Sequence, residues 1–332
     1  MMFLQSRRPR TVHLLVLFAV GVALVLAVSR SAQAKVAGAN GEIAYVHFSP
    51  TVGDDTTYIV NPDGSNPRPV FPRVMTTFPH WSPDGSELAL LTGADNPCPP
   101  CAASTVILNP DTGSYRVLSP PDPDLSTACS IWSPDASHFA CEVESTDGSQ
   151  NGLDVIRTSD GGGLTQIASD PGSSDVPIDY SPDGSQIVFG RVDPNDHHCD
   201  KNSALFVVKV DGSGRHRITP FGFCDDDGSW SPDGTEIAFA SGPGHQPSNI
   251  YLVHPDGTGL RQLPIHALPG DGFADINWSP DGSKLSFSLG GPSTPEGIFN
   301  ANANGTDLQR VTTSPNFDHE ADWGSHPLNT TG

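Results

Sequence analysis

The chain has 332 residues, of which 34 are glycine and 32 proline while only 17% are charged; so many helix breakers exclude long helical bundles and coiled coils and favour turn-rich β structure. Hydrophobic residues make up 36%, and 15 Phe, 5 Trp and 5 Tyr supply the bulk for a packed core, which excludes global disorder. Lys and Arg number 17 against 38 Asp and Glu, a net charge of −21 that disfavours sequence-independent binding to nucleic acid or anionic membranes.

Residues 1–34 read as an export signal. Arg7-Arg8-Pro9-Arg10 is its basic end, residues 14–28 form a 15-residue apolar run, and Ala32-Gln33-Ala34 is an A-x-A cleavage site. Fifteen apolar residues fall short of the ~20 that a spanning helix needs, so the expectation is a cleaved signal, an exported protein (periplasmic, cell-envelope or extracellular) and no stable membrane insertion afterwards. Ser6-Arg7-Arg8 leaves Sec and twin-arginine export both open. Removing the four arginines of this segment takes the net charge from −21 to −25.

After a short linker at 35–40, one pattern recurs: Trp81-Ser-Pro-Asp-Gly85, Trp132-Ser-Pro-Asp-Ala136, Tyr180-Ser-Pro-Asp-Gly184, Trp230-Ser-Pro-Asp-Gly234, Trp278-Ser-Pro-Asp-Gly282 and a degenerate Trp323-Gly324. The steps are 51, 48, 50, 48 and 45 residues, and all five tryptophans occupy this one position. A fixed period of this size signals a repeat architecture. Each turn is followed by an alternating run such as Glu236-Ile237-Ala238-Phe239, the period of a half-buried strand. Pro at the turn corner and Gly at a left-handed position make a tight hairpin; Ala136, standing where Gly is expected, predicts a strained or altered turn. A second strand pair follows in each unit, as in Asn249-Ile-Tyr-Leu-Val-His-Pro-Asp-Gly257, with short runs such as Arg217-Ile218-Thr219 after the turn. Four antiparallel strands, A (Trp) to D, in about 50 residues make a propeller blade.

The ends settle the number of blades. Gly41-Glu42-Ile43-Ala44-Tyr45 matches strand B with no preceding A, and Asp322-Trp323-Gly324 matches A with no following B. The fold class is therefore all-β: a six-bladed β-propeller over 41–324, closed by a C-terminal strand A joining N-terminal strands B, C and D, with a tail at 325–332. Such closure removes the exposed edge of an open sheet.

The repeat W-S-P-D-G-x-x-I-A-F, followed by I-Y-V-x-N-P-D-G-x-x-x-R-x-L-T, resembles the TolB-like Asp/Pro-rich propeller repeat across nearly all of 41–324. The resemblance implies a propeller and a binding role. TolB carries an α/β domain before its propeller, through which the family engages the Tol membrane complex, whereas here the repeats follow the signal directly. The same repeat occurs in propellers attached to prolyl oligopeptidase-like hydrolases, and this length leaves no room for such a hydrolase domain.

In such a blade the B–C and D–A connections share one face and the A–B and C–D hairpins the other. Length and sequence vary mostly in the former, at 93–104, 192–203 and 241–248, and at 120–130, 170–178, 220–228, 264–276 and 314–321; rigid scaffolds present binding loops in this way. Counting back from each motif aromatic, Asp175, Asp225 and Asp318 share minus five, Asp227, Asp275 and Glu320 share minus three, and Asp179 and Asp322 share minus one. Carboxylates converging on one mouth favour cations or basic peptides. The six residues at minus five and minus three are the candidate ligand-binding set, turn capping being the plain alternative for each.

The stretch Asp193-Pro-Asn-Asp196-His197-His198-Cys199-Asp200 offers Asp196, His197 and His198 as metal candidates, and carboxylates could hold Ca2+ or another divalent cation, but the spacing matches no defined metal loop. No resident cofactor is expected. Six cysteines in an exported chain suggest disulfides: the repeat register pairs Cys199 with Cys224 and Cys129 with Cys141, leaving Cys98 with Cys101. Cys141 replaces a core Phe, so a buried free thiol is the competing outcome there. With no Gly-x-Ser-x-Gly elbow, phosphate loop or His-Glu-x-x-His element, catalysis finds little support. The expectation is a monomeric, non-catalytic binding propeller that recognises a protein, peptide or envelope glycan through its acidic loop face. The alternative is a funnel-site hydrolase or lyase using His197, His198 or His319 with those carboxylates.

Overall fold

In a computed structural model, residues 38–49, 54–70, 76–92, 104–118, 125–145, 151–170, 172–192, 203–221, 227–242, 249–314 and 316–329 are described. Every regular element among them is a β-strand, and the strands form six four-stranded antiparallel sheets. From strand A to strand D, blade 1 runs Asp318–Trp323, Ile43–Ser49, Asp54–Val60 and Arg68–Pro69. Blade 2 is Thr76–Trp81, Leu88–Thr92, Ser104–Leu108 and Tyr115–Leu118; blade 3 is Leu125–Trp132, His138–Ser145, Gly152–Arg157 and Thr165–Ala168. Blade 4 is Asp175–Tyr180, Gln186–Val192, Ser203–Lys209 and His216–Arg217; blade 5 is Gly228–Trp230, Ile237–Ser241, Asn249–Val253 and Arg261–Gln262; blade 6 is Gly272–Trp278, Lys284–Gly290, Gly297–Asn302 and Gln309–Arg310. The A strands touch one another around the ring, which makes them the innermost strands and leaves only short D strands as outer edges, while motif aromatics such as Trp230 and Trp278 are buried against the preceding blade.

The recurrence of Ser-Pro-Asp-Gly has a folding cause. In blade 2 Asp84 Oδ1 accepts from Ser82 Oγ (2.8 Å), Ser86 N (3.0 Å) and Ser86 Oγ (2.7 Å), while Ser82 Oγ accepts from Glu87 N (2.9 Å). The same web surrounds Asp135, Asp183, Asp233 and Asp281. Partial burial pushes these five carboxyls up, but the hydrogen bonds outweigh it and hold them below the usual range. Ala136 keeps the ordinary turn, donating its N–H to Ser133 O at 2.8 Å, at a φ of 57°. The strained alternative is therefore the one adopted, at a cost of about 1 kcal/mol.

Closure occurs where the repeat arithmetic places it. Ile43 faces Trp323, Ala44 faces Asp322 and His47 faces Asp318 across blade 1, and Trp323 Nε1 donates to Gly41 O at 3.0 Å. The segments outside the repeats brace the seam on both sides. Residues 38–40 reach back to blade 6, where Gly38 N donates to Pro280 O (3.4 Å) and Asn40 Oδ1 accepts from Asp281 N (3.1 Å). Residues 324–329 run from blade 1 towards blade 2: the His326 ring stacks on Trp81 of blade 2 at 4.7 Å, and Asn61 and Asn66 in the C–D turn of blade 1 donate to Asn329 O.

Blade 3 departs from the others inside its core. Cys129 and Cys141 stand opposite each other on strands A and B and are joined by a disulfide, so Cys141 is not a free thiol; Cys98, Cys101, Cys199 and Cys224 lie outside the described residues. Asp154 faces Cys141 from strand C, where the other blades place Tyr58, Val106, Phe206, Tyr251 and Phe299. It is 4% exposed, its Oδ2 has no hydrogen-bond partner, and burial pushes its carboxyl up to about 6. The folded state thus holds this proton more tightly than the unfolded chain. The group's contribution is most favourable below pH 3.8 and declines as pH rises through 6, by at most about 3 kcal/mol. Chemical denaturation at pH 4 and pH 7 should show this loss in the wild type and a flatter profile in Asp154→Asn; equal slopes would refute the assignment.

Candidate functional site

Of the sequence candidates, Asp175, Asp275, Asp318 and Glu320 lie on strands A, and five of the six strands A have a local irregularity. The A–B register shifts in blades 1, 2, 3, 4 and 6, with the unpaired residues two or three positions before the motif aromatic. A bulge bends the strand and re-aims a side chain. In blades 6, 1 and 2 the minus-three residues Asp275, Glu320 and Phe78 all have positive φ, of 55°, 54° and 49°. Asp tolerates this conformation; for a bulky Phe it is an outlier.

These three positions are linked in series. Asp275 Oδ2 accepts from Glu320 N at 2.8 Å, and Glu320 Oε2 accepts from Phe78 N at 2.6 Å, so each carboxylate holds the backbone amide of the next blade. Ser288 Oγ donates to Asp275 Oδ2 at 2.5 Å. Burial and the neighbouring Glu320 raise the Asp275 carboxyl above its ordinary range against these hydrogen bonds. Phe78 itself is left 46% exposed.

The minus-five acids among the described residues, Asp175 and Asp318, are each paired with a basic side chain. Asp175, 1% exposed, takes Arg191 Nε and Nη2 at 2.6 Å each, and Arg191 also reaches Asp170 (2.7 Å) and lies over the Phe189 and Phe206 rings. Asp318 is fully buried and its Oδ1 is 2.6 Å from His47 Nδ1. The minus-one residues tie consecutive blades together: Asp179 accepts from Trp230 N (2.9 Å), Ser229 Oγ from Trp278 N (3.0 Å) and Asp322 from Trp81 N (2.7 Å). Asn277 donates to Ala321 O (2.6 Å), and Trp132 Nε1 donates to His80 O (3.0 Å). Asp227 is half-buried; Asp225, Asp196, His197 and His198 lie outside the described residues.

The crown at the blade 1 seam thus gathers Asp275, Asp318 and Glu320 from the candidate set and leaves Asp175 on the far side, in its own ion pair. Sequence reasoning passed over His47, Asp55, Phe78 and Arg191. Arg191 stands 16 positions after Asp175, a spacing readable once the A–B hairpin is drawn; His47 and Asp318, 271 positions apart, meet only through closure. At the same seam Phe48 and Phe317 pack at 6.1 Å, Phe317 being 54% exposed. His319 lies 3.6 Å from Glu320 Oε1 and 3.8 Å from Asp55 Oδ1. Burial lowers its affinity for a proton, but Glu320, Asp275 and Asp55 prevail and bring its pKa up to about 9. No group of three or more His, Cys, Asp or Glu side chains among the described residues is disposed to hold a metal ion.

No protein-family profile matches the chain, and no curated protein matches it. Solved structures do. TolB from Acinetobacter baumannii superposes with a TM-score of 0.67 at 17% identity, over 87% of this chain and 67% of that one. A putative TolB from Agrobacterium tumefaciens gives 0.60 at 17% identity, over 88% and 94%. An oligogalacturonate lyase from Vibrio parahaemolyticus gives 0.55 at 15% identity, over 81% and 79%. At these identities the likeness is one of fold.

His319 yields a pH dependence of the opposite charge type from that of Asp154. Its contribution is fully present below pH 6.5 and is lost as pH rises through 9, by at most about 3 kcal/mol. Thermal melts between pH 6 and pH 9.5 should show this decline in the wild type and a smaller one in His319→Gln; an unchanged decline would contradict the arrangement.

Proposed function

We propose that this protein is an exported, non-catalytic binding propeller whose loop-face crown at blades 6, 1 and 2 takes a protein or peptide segment carrying a basic group beside an apolar one. The observation that carries the reading is the linked row Asp275, Glu320, Phe78. All three residues have a left-handed conformation, the amides of Glu320 and Phe78 are each held by the preceding blade's carboxylate, and Phe78 presents an aromatic ring to solvent. Backbone strain of this kind costs ~1–3 kcal/mol per residue and concentrates at ligand-holding sites. An exposed aromatic fixed on a rigid frame is the usual anchor of an interface, and the surrounding carboxylates favour a cationic neighbour. The TolB structures are consistent with a binding propeller. An envelope glycan fits less well, because the crown carboxylates are already committed to backbone amides.

The lyase neighbours, one described as in complex with manganese, keep a funnel-site enzyme as the alternative. The binding reading requires neither a cofactor nor membrane insertion, and a monomer suffices for it.

Substitution of Phe78 separates function from folding. Phe78→Gly should raise the unfolding free energy by about 1 kcal/mol, because glycine accepts the positive φ, while cutting partner capture from envelope extract at least about tenfold. Val210→Ala, at an exposed site just after strand C of blade 4, should change neither. Undiminished capture by Phe78→Gly would overturn the proposal.

A further inference from the structure

Blade 3 departs from the repeat at facing positions on three strands at once. Cys129 on strand A faces Cys141 on strand B, and Cys141 faces Asp154 on strand C, so the disulfide and the carboxyl form one row across the sheet. Directly opposite residues of antiparallel strands share a face, with Cβ atoms about 4.5–5.5 Å apart, which brings Asp154 beside the Cys141 sulfur. In the other blades the B–C pair at this place is aliphatic or aromatic, as in Leu90–Val106 and Phe189–Phe206. Of the six blades, the one that carries the disulfide is the one that carries an acid here.

The surroundings give that acid no donor. This face of blade 3 packs on Ala89, Ile107 and Leu118 of blade 2, and Thr105 of blade 2 donates its hydroxyl to Cys129 O at 2.6 Å. Gln166, opposite Asp154 on strand D, is exposed, and its carboxamide accepts from Ser169 Oγ. None of these side chains is charged, and burial alone raises the Asp154 carboxyl. Its Oδ2 is left buried with no hydrogen-bond partner. A disulfide has no hydrogen to offer, whereas a pair of thiols has two. Reduction therefore supplies the missing donor, and closing the bond removes it. A carboxylate at this distance also opposes ionisation of either thiol, and the thiolate is the form that attacks to make a disulfide.

We propose that the Cys129–Cys141 bond is a redox-sensitive switch within blade 3, in which Asp154 accepts a hydrogen bond from the reduced pair and so shifts the equilibrium towards the open form. The reductant is a dithiol. Its two sulfurs join in a disulfide and give up two electrons, the Cys129–Cys141 S–S bond breaks, and the two protons of the dithiol pass to Cys129 Sγ and Cys141 Sγ. Strands A and B remain paired at Leu125 to Ala128 and at Ile131 and Trp132, so the open form keeps the hairpin. Both sulfurs are buried, Cys129 being 2% and Cys141 0% exposed, so exchange proceeds through local opening of the blade. The switch is independent of the binding proposed for the loop face.

The experiment equilibrates the intact protein with reduced and oxidised dithiothreitol at pH 7, starting from either redox form. Differential alkylation with peptide mass spectrometry reads the Cys129–Cys141 bond, and near-ultraviolet circular dichroism follows folding. Asp154→Val, which copies Val106 of blade 2, should lower the equilibrium constant for reduction at least about tenfold, the scale of a hydrogen bond to a charged group. Asp154→Asn, which keeps the size and removes the charge, should lower it as well. Between pH 7 and pH 5.5 the wild-type constant should fall towards those of the variants, because the carboxylate takes up a proton, while the variants stay flat. Equal constants in the wild type and both variants, a wild-type constant that does not move with pH, or loss of the folded signal when the wild type is reduced would each overturn the proposal.

Discussion

A propeller has no free edge only if its last strand pairs with its first, and here that pairing joins residues near position 43 to residues near position 323. It costs loop-closure entropy over nearly the whole chain, so the seam must be reinforced beyond a single hydrogen-bond ladder. The reinforcement is local and asymmetric. Trp323 sends its indole N–H to Gly41 O, Glu42 is buried against Arg68, and Gly324 lies so close to the Trp81 ring that an added Cβ would sit 2.3 Å from it. Residues 38–40 and 324–329 then pull in opposite directions around the ring, one to blade 6 and the other to blade 2. The candidate site depends on this closure, because blade 1 supplies Glu320 and His319.

The acidic residues divide by what they do for the ring. Those in the hairpin turns organise Ser-Pro-Asp-Gly, those at minus one hold neighbouring blades, and Asp175 and Asp318 at minus five are bonded to Arg191 and His47. A large net negative charge is thereby compatible with a compact fold, since many of the carboxylates accept hydrogen bonds rather than facing one another in water. At minus three the same device is carried into strained backbone, and there it ends on an exposed aromatic ring rather than on a core contact.

Fold class, blade number and the closing strand were legible in the sequence because turn chemistry and strand alternation repeat with one period. The Cys129–Cys141 pair followed from the same register. The site was only partly legible. Positions counted back from the motif place Asp275 and Glu320 on adjacent blades, but they do not show that each carboxylate holds the next blade's amide, since a bulge in strand A is invisible to alternation. Phe78 gave no signal, being one apolar residue before a proline. The role of His326 was hidden because the tail carries no Pro-Asp-Gly, although its place in the degenerate repeat, three residues after Trp323, marks where it packs.

Native-state hydrogen exchange at Gly41, Glu42 and Phe48 tests closure most directly, because these amides donate across the seam to Gly324, His326 and Phe317. If the ring is one cooperative unit, they exchange with the same opening free energy as the central strands of blades 3 to 5. Exchange of these three at a markedly lower free energy, with blades 3 to 5 still protected, would show that the two ends of the chain part independently and would contradict the account.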